Sequence, residues 1–403
     1  MEPKIRLKGF EGEWKETTWG ELTGNFKYGI NASAVPYDGK NKYLRITDID
    51  DSTRVFLQDN LTTPGTDLSY CSEYVMEDGD IVVARTGASV GKSFIYHKND
   101  GKVYFAGFLI RMRLEDNVDK DFVFQNTLTE PYSKHIKLVS QRSGQPGVNV
   151  NELKSYKLYY PSIEEQKSIA TFFKSLDSQI TSSASRLASL KQIKTASLQS
   201  MFPQEGESVP KVRFKGFDGE WKKVNFGSII TECMDKTTTE NEDVLLSSAI
   251  DGLYLNSELF THFRGQSNKG YRKIKKNMLI LSAQNLHLGN ANVNLRFEHG
   301  IVSPAYKIYY IHDCNPELLS HWIKREETKN FFLDATTAGA SLCRKNIVWE
   351  DLYKQTLYLP KDDEEQNKIA KFFTSLNSQI SLQSQRLEKL KQIKAACLDM
   401  MFV

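Results

Sequence analysis

The sequence predicts an α+β protein with a pseudo-two-fold internal repeat: two globular domains joined by two long helices that form an antiparallel coiled coil. The main observation is a segment that occurs twice, as EEQKSIATFFKSLDSQI at residues 164–180 and as EEQNKIAKFFTSLNSQI at residues 364–380, with 12 of 17 positions identical. The second is a lead-in, PKIRLKGFEGEWKE at residues 3–16, that returns as PKVRFKGFDGEWKK at residues 210–223. A chain that repeats both segments in the same order is built from two equivalent halves.

The repeated segment is predicted to be helical because its apolar residues recur at steps of three and four. This spacing places them on one face of a helix, close to a heptad seam, and a helix over residues 163–201 would be roughly 60 Å long. We expect the two stripes to bury each other in an antiparallel pair; the alternative is that each helix packs only on its own domain. The pattern continues to Ile193 and Ile393. The predicted interface residues are Ile169, Phe172, Phe173, Leu176, Ile180, Leu187, Leu190, Ile369, Phe372, Phe373, Leu376, Ile380, Leu387 and Leu390.

The starts and ends of these helices set the predicted domain boundaries. Ser162 with Glu165, and Asp362 with Glu365, have the spacing of a capping box at a helix N-terminus. Outside the helices, strand-like runs alternate with Gly and Asp turns, which is typical of mixed, mostly antiparallel α+β domains. The predicted segments are a domain at residues 1–160, a helix at 161–202, a linker at 203–210, a second domain at 211–360 and a second helix at 361–403.

Composition narrows the class of protein. The 403 residues carry a net charge of +3, so any affinity for nucleic acid must come from local clusters rather than bulk charge. Five scattered cysteines without a CxxC pair predict reduced thiols in a cytoplasmic chain. No window has the apolar length of a membrane span and no signal-peptide region is seen, so we expect no membrane contact.

No catalytic or metal-binding pattern is found in the sequence. The motifs H-x-E…C-x-x-C, H-E-x-x-H and G-x-S-x-G are absent. The stretch RTGASVGKS at residues 85–93 resembles a phosphate-binding loop, but three residues rather than four separate Gly87 from Gly91, and a strand pattern follows where that loop needs a helix. We therefore predict no catalytic residue and no metal site, and interpret residues 85–93 as a turn between two strands.

The remaining feature is a set of polar and basic clusters in turns. Arg, Lys, Asn and Gln side chains can contact base edges, while Ser, Thr and backbone amides hold phosphates. For each cluster the alternative is a turn that is exposed to solvent and binds nothing. Because such clusters occur at corresponding places in both halves, DNA contact is favoured over this alternative. The predicted DNA-binding residues are Arg85, Thr86, Ser89, Lys92, Arg142, Ser143, Gln145, Asn149, Tyr271, Arg272, Lys273, Ser341, Arg344 and Lys345.

The organisation resembles a known family, the specificity subunits of type I restriction–modification systems. The resemblance lies in GF(E/D)GEW at residues 9–14 and 216–221, GDIVVARTGASVGK at residues 79–92, SPAYKIY at residues 303–309 and, above all, the twin helices. In the second half, LILSAQNLHLGN at residues 279–290 replaces the GDIVVARTG pattern, so only a general DNA-binding role carries over there, to Gln284 and Asn285.

This resemblance implies a non-catalytic, sequence-specific DNA-binding subunit without a cofactor of its own. Each domain would be a target recognition domain reading one half of a bipartite sequence in double-stranded DNA, asymmetric because the domains differ. The helices would set the spacer and dock two methyltransferase subunits, which bring S-adenosylmethionine, and through them two restriction (motor-nuclease) subunits, which use ATP and Mg²⁺. The alternatives are a coiled-coil adaptor without DNA readout and a stand-alone DNA-modifying enzyme.

Overall fold

The chain folds into two compact units. The computed structural model describes residues 1–142, 144–261, 267–337 and 346–403. Unit 1 comprises Met1–Ser185 with Ser384–Val403, and unit 2 comprises Arg186–Gln383. Each unit therefore combines one α+β domain with segments of both long helices.

Unit 1 is mixed α and β. Its strands are β1 (Lys15–Thr18), β2 (Thr23–Tyr28), β3 (Ala34–Pro36), β4 (Lys42–Leu44), β5 (Thr62–Pro64), β6 (Ile81–Ala84), β7 (Ser93–Ile95), β8 (Val103–Phe105), β9 (Leu109–Leu114) and β10 (Lys157–Tyr160). Its helices are α1 (Trp19–Leu22), α2 (Lys120–Asn126), α3 (Glu130–Val139), α4 (Val150–Lys154) and the first part of α5 (Ile163–Ser200). Four 3₁₀ turns lie at Ile46–Asp48, Leu68–Tyr70, Ser72–Tyr74 and Lys98–Asp100.

Unit 2 has a closely similar order of elements. Its strands are β11 (Lys222–Asn225), β12 (Ile230–Cys233), β13 (Leu246–Ala249), β14 (Gly252–Leu255), β15 (Arg272–Lys275), β16 (Leu279–Ser282), β17 (Ala291–Val293), β18 (His299–Val302), β19 (Tyr306–Ile311) and β20 (Thr356–Leu359). Its helices are α6 (Asn256–Leu259), α7 (Pro316–Trp322), α8 (Glu326–Leu333), α9 (Trp349–Lys354) and the first part of α10 (Asp363–Met401), with 3₁₀ turns at Phe226–Ser228 and Leu286–Leu288.

The central sheets of the two units have the same topology. In unit 1 the antiparallel order is β2-β9-β6-β7, and in unit 2 it is β12-β19-β16-β17. The equivalence extends to register, because Ala84 at the end of β6 pairs with Leu109, and Ser282 at the end of β16 pairs with Tyr306. The segment at residues 279–290, which departs from the first half in sequence, thus occupies the same place in its sheet. The predicted α+β class is confirmed.

Both predicted long helices are present, and their buried face follows the predicted stripe. In unit 1 the end of α10 runs antiparallel to the start of α5: Phe402 lies 5.8 Å from Phe173 between ring centroids, and Lys394 Nζ lies 2.5 Å from Asp177 Oδ1. The same stripe also packs on its own domain, as Phe402 stacks on Phe122 of α2 at 5.2 Å. Ile169, Phe173, Leu176, Ile180, Ile369, Phe373 and Leu376 are buried, whereas Phe172, Leu187, Leu190, Phe372, Ile380, Leu387 and Leu390 are half-buried.

Two residues of the predicted stripe lie off the buried face, although Leu398 and Met401 further along α10 are buried. Ile193 is 49% exposed and Ile393 is 38% exposed, so neither lies on the buried face. Both isoleucines follow two consecutive steps of three, from Leu187 through Leu190 and from Leu387 through Leu390. Each step of three falls short of a full turn of 3.6 residues, so two such steps in succession carry the side chain off the buried face.

The capping boxes were predicted wrongly for the glutamate side chains, which bond to arginines instead of to the backbone at the helix N-terminus. Ser162 Oγ does accept a hydrogen bond from the Glu165 amide at 3.4 Å. The Glu165 carboxylate, however, is 1% exposed and accepts two hydrogen bonds from Arg6, at 2.8 Å from Nε and 2.7 Å from Nη2. Glu365 accepts from Arg213 in the same way, at 2.6 and 2.8 Å. A bidentate, charge-assisted pair with the lead-in arginine replaces the weaker bond to the helix backbone.

Each lead-in also contacts the end of a long helix. In unit 1 the Ile5 amide donates to the Met400 carbonyl at 2.9 Å, and in unit 2 the Val212 amide donates to the Ser200 carbonyl at 2.9 Å. The repeated lead-in segments therefore tie together the start of one helix and the end of the other within each unit.

The two units differ in charge where the helices meet. In unit 1, Asp177 accepts hydrogen bonds from Lys394 at 2.5 Å and from Gln125 of α2 at 2.9 Å. The repeat places Asn377 at the position of Asp177, and Lys194 at the position of Lys394. Unit 2 thus keeps the lysine and lacks its carboxylate partner at this position.

His321 occupies the place of Gln125 in unit 2. Helices α2 and α7 start equivalently, because the Asp119 amide donates to Gln166 at 2.9 Å and the Asn315 amide donates to Gln366 at 2.8 Å. His321, six residues on, is buried, with its Nε2 3.4 Å from Thr374 Oγ1 and its ring 5.2 Å from that of Phe373. Burial, with the positive charge of Lys194 nearby, lowers the pKa of His321 to about 4.

Unit 2 is therefore expected to lose stability in mild acid. A histidine with a folded-state pKa of about 4 is neutral in the folded chain, whereas the unfolded chain takes up the proton near pH 6.5. The contribution of neutral His321 to the free energy of unfolding is complete above pH 6.5 and is lost as the pH falls towards 4. Between about pH 7.5 and pH 5 the free energy of unfolding should fall by about 2 kcal/mol. Urea unfolding followed by hydrogen exchange of unit 2 measures this loss. His321→Gln, which installs the unit 1 residue, should remove most of it; an unchanged pH dependence in the variant would contradict the assignment.

Candidate nucleic-acid interface

Two of the predicted clusters form one surface in unit 1. The interpretation of residues 85–93 as a turn is confirmed, since β6 and β7 pair directly on either side of it. Thr86 bridges to Gly147, the Val148 amide donates to the Arg85 carbonyl at 2.8 Å, and the Gly87 amide donates to the Pro146 carbonyl at 3.0 Å. The turn and the glycine-rich loop before α4, residues 144–149, are therefore held together by backbone hydrogen bonds.

Gly87 permits this close approach. Its φ of +77° is in the left-handed region, and a Cβ at this position would lie 3.0 Å from Gln145 Nε2. A side chain would strain the turn and push Gln145 away. Gln145 is exposed beside Thr86, which is half-buried, so both can contact a ligand that lies on this surface.

Arg85 contacts two aromatic residues that sequence reasoning missed. Its guanidinium lies 4.8 Å from the ring centroid of Tyr28, and its amide donates to the carbonyl of Phe108 at 2.9 Å. The Tyr28 hydroxyl accepts from the Val150 amide at 3.3 Å, which fixes the ring. The signal that could have found them is the aromatic–glycine pairs Tyr28-Gly29 and Gly107-Phe108, since exposed aromatics beside glycine mark turns that present a ring.

A pocket of about 570 Å³ adjoins this surface. Its apolar part is formed by Ile30 and Ala106, and Thr86 and Gln145 also line it. Phe108 lines the pocket as well and is 62% exposed. The pocket thus joins the turn, the glycine-rich loop and the β8–β9 connection into one continuous concave surface.

Three predicted contact residues have internal partners instead. Lys92 is 7% exposed and donates to the Ile49 carbonyl at 3.0 Å and to Asp51 at 2.9 Å. Arg142 pairs with Glu152, and Asn149 caps α4 by accepting from the Glu152 amide at 3.0 Å. These contacts hold the two loops in place, so the three residues are left out of the contact surface proposed below. Ser89, which is half-buried, stays in that surface.

In unit 2 the predicted basic cluster is largely neutralised. Arg272 and Lys273 lie on β15, and Tyr271, half-buried, precedes it. Acidic side chains of the same unit face three of the cations: Glu232 lies 3.8 Å from Arg272, Glu242 pairs with Lys273, and Glu298 lies 2.5 Å from Lys276. The local field is therefore weaker than the sequence run suggests.

Ala283 directly follows β16, as Arg85 directly follows β6 in unit 1, and Gln284 and Asn285 come next. Because Ser282 matches Ala84 in register, Gln284 takes the position of Thr86. Gln284 is exposed and Asn285 is half-buried. Ser143, Ser341, Arg344 and Lys345 lie outside the described residues, so their predicted role stays a prediction.

No group of three or more His, Cys, Asp or Glu side chains that could hold a metal ion occurs among residues 1–142, 144–261, 267–337 and 346–403. Within the same part of the chain, no helix combines the length and apolar character needed to cross a membrane.

Comparison with known families decides the family of the first half. Residues 13–192 match the family model described as the type I restriction modification DNA specificity domain. Residues 13–192 are a type I specificity domain. The family that the sequence motifs indicated is thereby confirmed, and the matched region covers most of unit 1 with much of α5.

Solved structures extend the likeness beyond the specificity domain. The chain is similar to the S subunit of a type I restriction–modification system from M. genitalium, with 15% identity, a TM-score of 0.63 and coverage of 100% of this chain and 99% of that chain. It is also similar to a chain from a structure on complex assembly and conformational transition of the type I system, with 14% identity, a TM-score of 0.51 and coverage of 96% and 97%. At these identities the likeness shows the fold.

Proposed function

We propose that this chain is the DNA-binding specificity subunit of a type I restriction–modification complex, in which each unit reads one half of an asymmetric bipartite target. One observation carries the proposal: the units share the order and register of their central sheets, while the residues at the same sheet positions differ. Arg85 and Thr86 follow β6, whereas Ala283 and Gln284 follow β16. One scaffold with two different reading surfaces suits a target whose halves differ.

The proposed contacts follow from exposure and free donors. In unit 1 the side chains of Arg85, Thr86, Ser89 and Gln145 can reach phosphates and base edges, and Gln can bond an adenine edge through both of its polar atoms. In unit 2 the corresponding residues are Gln284 and Asn285. Arg272 and Lys273 pair with Glu232 and Glu242, so they are left out of the proposed contacts, as Lys92 and Arg142 are in unit 1. The domain boundaries predicted from the sequence, at residues 1–160 and 211–360, delimit the two target recognition domains in this proposal.

The long helices are proposed as spacer and docking element. Two modules that read the same face of DNA must be separated by one helical turn of the DNA, about 34 Å, or by a multiple of it. Stiff helices hold such a distance better than a flexible linker does. Ile193, Ile393 and Leu382 expose apolar side chains on the helices, at 49%, 38% and 63%. We assign these exposed helix positions in each unit to contacts with two methyltransferase subunits, through which the restriction subunits join. S-adenosylmethionine, ATP and Mg²⁺ would be bound by those cytoplasmic partners.

Deletion of the gene is expected to remove one bipartite N6-methyladenine motif from the host methylome. Exchanging residues 25–158 for those of a relative should change one half-site only, and the matched exchange of residues 225–358 should change the other, because each unit has its own reading surface. Sequencing of methylated adenines measures both. An unchanged methylome, or a change of both half-sites after one exchange, would contradict the proposal, as would methylation of DNA by the purified chain alone.

A further inference from the structure

We propose that Phe108 inserts into the base stack of the half-site read by unit 1, and that Ala305, at the corresponding position of unit 2, makes no such insertion. This inference rests on the DNA-binding function proposed above. It concerns how that surface discriminates, since a protein that unstacks a base step selects sequences that are easy to deform.

The backbone beneath Phe108 is rigidly held. In the connection between β8 and β9, the Gly107 amide donates to the Ile30 carbonyl at 2.7 Å and the Leu109 amide donates to the Ala106 carbonyl at 2.8 Å. The Phe108 carbonyl itself accepts from the Arg85 amide at 2.9 Å. The turn is therefore fixed by three hydrogen bonds while the ring remains 62% exposed. An insertion residue needs this combination, because a mobile ring would lose the energy of insertion to conformational entropy.

The groups around the ring suit nucleic acid. Arg85 is held half-buried against Tyr28, and no carboxylate pairs with it among the residues that the structure describes. Thr86 and Gln145 line the same pocket as Phe108. A cation and polar donors that can hold phosphates and base edges thus surround an apolar ring, which is the arrangement of proteins that insert Phe or Leu between base steps.

Unit 2 shows that the fold does not require an aromatic residue here. The Ala283 amide donates to the Ala305 carbonyl at 3.2 Å, which is the counterpart of the bond from Arg85 to Phe108. Ala305 therefore occupies the place of Phe108, directly before β19. Because the same bond forms with alanine, the turn does not depend on the ring of Phe108, which is free to contact a partner outside the unit.

The test uses the full chain and DNA duplexes that contain the target motif identified from the methylome. 2-Aminopurine is placed in turn at each base step of either half-site. Wild-type protein should raise 2-aminopurine fluorescence at one step of the unit 1 half-site, because unstacking relieves quenching, and should cause no rise at the corresponding step of the other half-site. Phe108→Ala should abolish that rise and weaken binding about 10-fold to 100-fold, as expected for the loss of one aromatic–base stack. Phe108→Trp should keep both the fluorescence rise and the affinity. A mismatched base pair at the same step should restore the affinity of Phe108→Ala for the duplex.

A matched gain-of-function variant completes the design. Ala305→Phe should produce a new fluorescence rise in the unit 2 half-site. If Phe108→Ala binds the intact duplex and raises its fluorescence like wild type, the insertion is overturned while target recognition stands. If wild-type protein shows no preference for the target over a scrambled duplex, both the insertion and the proposed function are overturned.

Discussion

Arg6→Ala is expected to destabilise unit 1 by about 3 kcal/mol, because it strands a buried carboxylate. Glu165 is 1% exposed, and Arg6 donates to both of its oxygens, at 2.8 and 2.7 Å. Without the guanidinium, the buried carboxylate loses both of these charge-assisted hydrogen bonds. Urea unfolding, with hydrogen exchange by mass spectrometry to resolve the two units, measures the loss.

Two control variants distinguish the effect of breaking the buried ion pair from the effect of removing a charge at the surface. Arg6→Leu combined with Glu165→Leu should recover most of the stability, because replacing both partners leaves no buried charge. Lys134→Ala, which breaks an exposed pair with Glu130 on α3, should change the unfolding curve far less. Equal losses in Arg6→Ala and Lys134→Ala would show that the lead-in pair does not anchor the unit.

Phe402→Ala is expected to destabilise unit 1 by about 3–5 kcal/mol, although this residue follows unit 2 in the sequence. Phe402 is buried, with its ring centroid 5.2 Å from that of Phe122, 5.8 Å from that of Phe173 and 6.4 Å from that of Trp14. Truncation leaves a cavity within this aromatic cluster. Hydrogen exchange should therefore rise in Met1–Ser185, which shares the unit with the end of α10.

Phe202→Ala is the matched variant. Phe202 packs 5.9 Å from Phe373 and 6.0 Å from Trp221, so its loss should loosen unit 2. If Phe402→Ala loosened unit 2, or Phe202→Ala loosened unit 1, the division of the helices between the units would be wrong.

The repeat and the helical stripe were predictable because each is a property of the sequence over many residues. Steps of three and four from Ile169 to Ile180 identify the buried face without knowledge of a partner. The turn at residues 85–93 was predictable for a similar reason, since its residue count and its flanking strand pattern are local. The residues chosen as DNA contacts, by contrast, stay predictions.

The partners of individual polar side chains were not predictable. Glu165 has the right spacing for a capping box, yet its partner Arg6 lies 159 residues away and outcompetes the helix backbone. Lys92 resembles a free phosphate-binding lysine, and only the fold brings Asp51 and the Ile49 carbonyl to it. A single sequence does not show which of many charged residues will meet once the chain is compact.

By itself, the sequence determined that the chain has two equivalent halves, each with an α+β region and a long amphipathic helix, because periodicity and repetition are written along the chain. Only the tertiary structure decided that Ser384–Val403 belongs to unit 1 and that Phe108 stands exposed beside Arg85. The physical reason is that a helical stripe specifies what must be buried, while its partner is selected by packing between segments distant in the chain. The same holds for a reading surface, which exists only where separate turns meet.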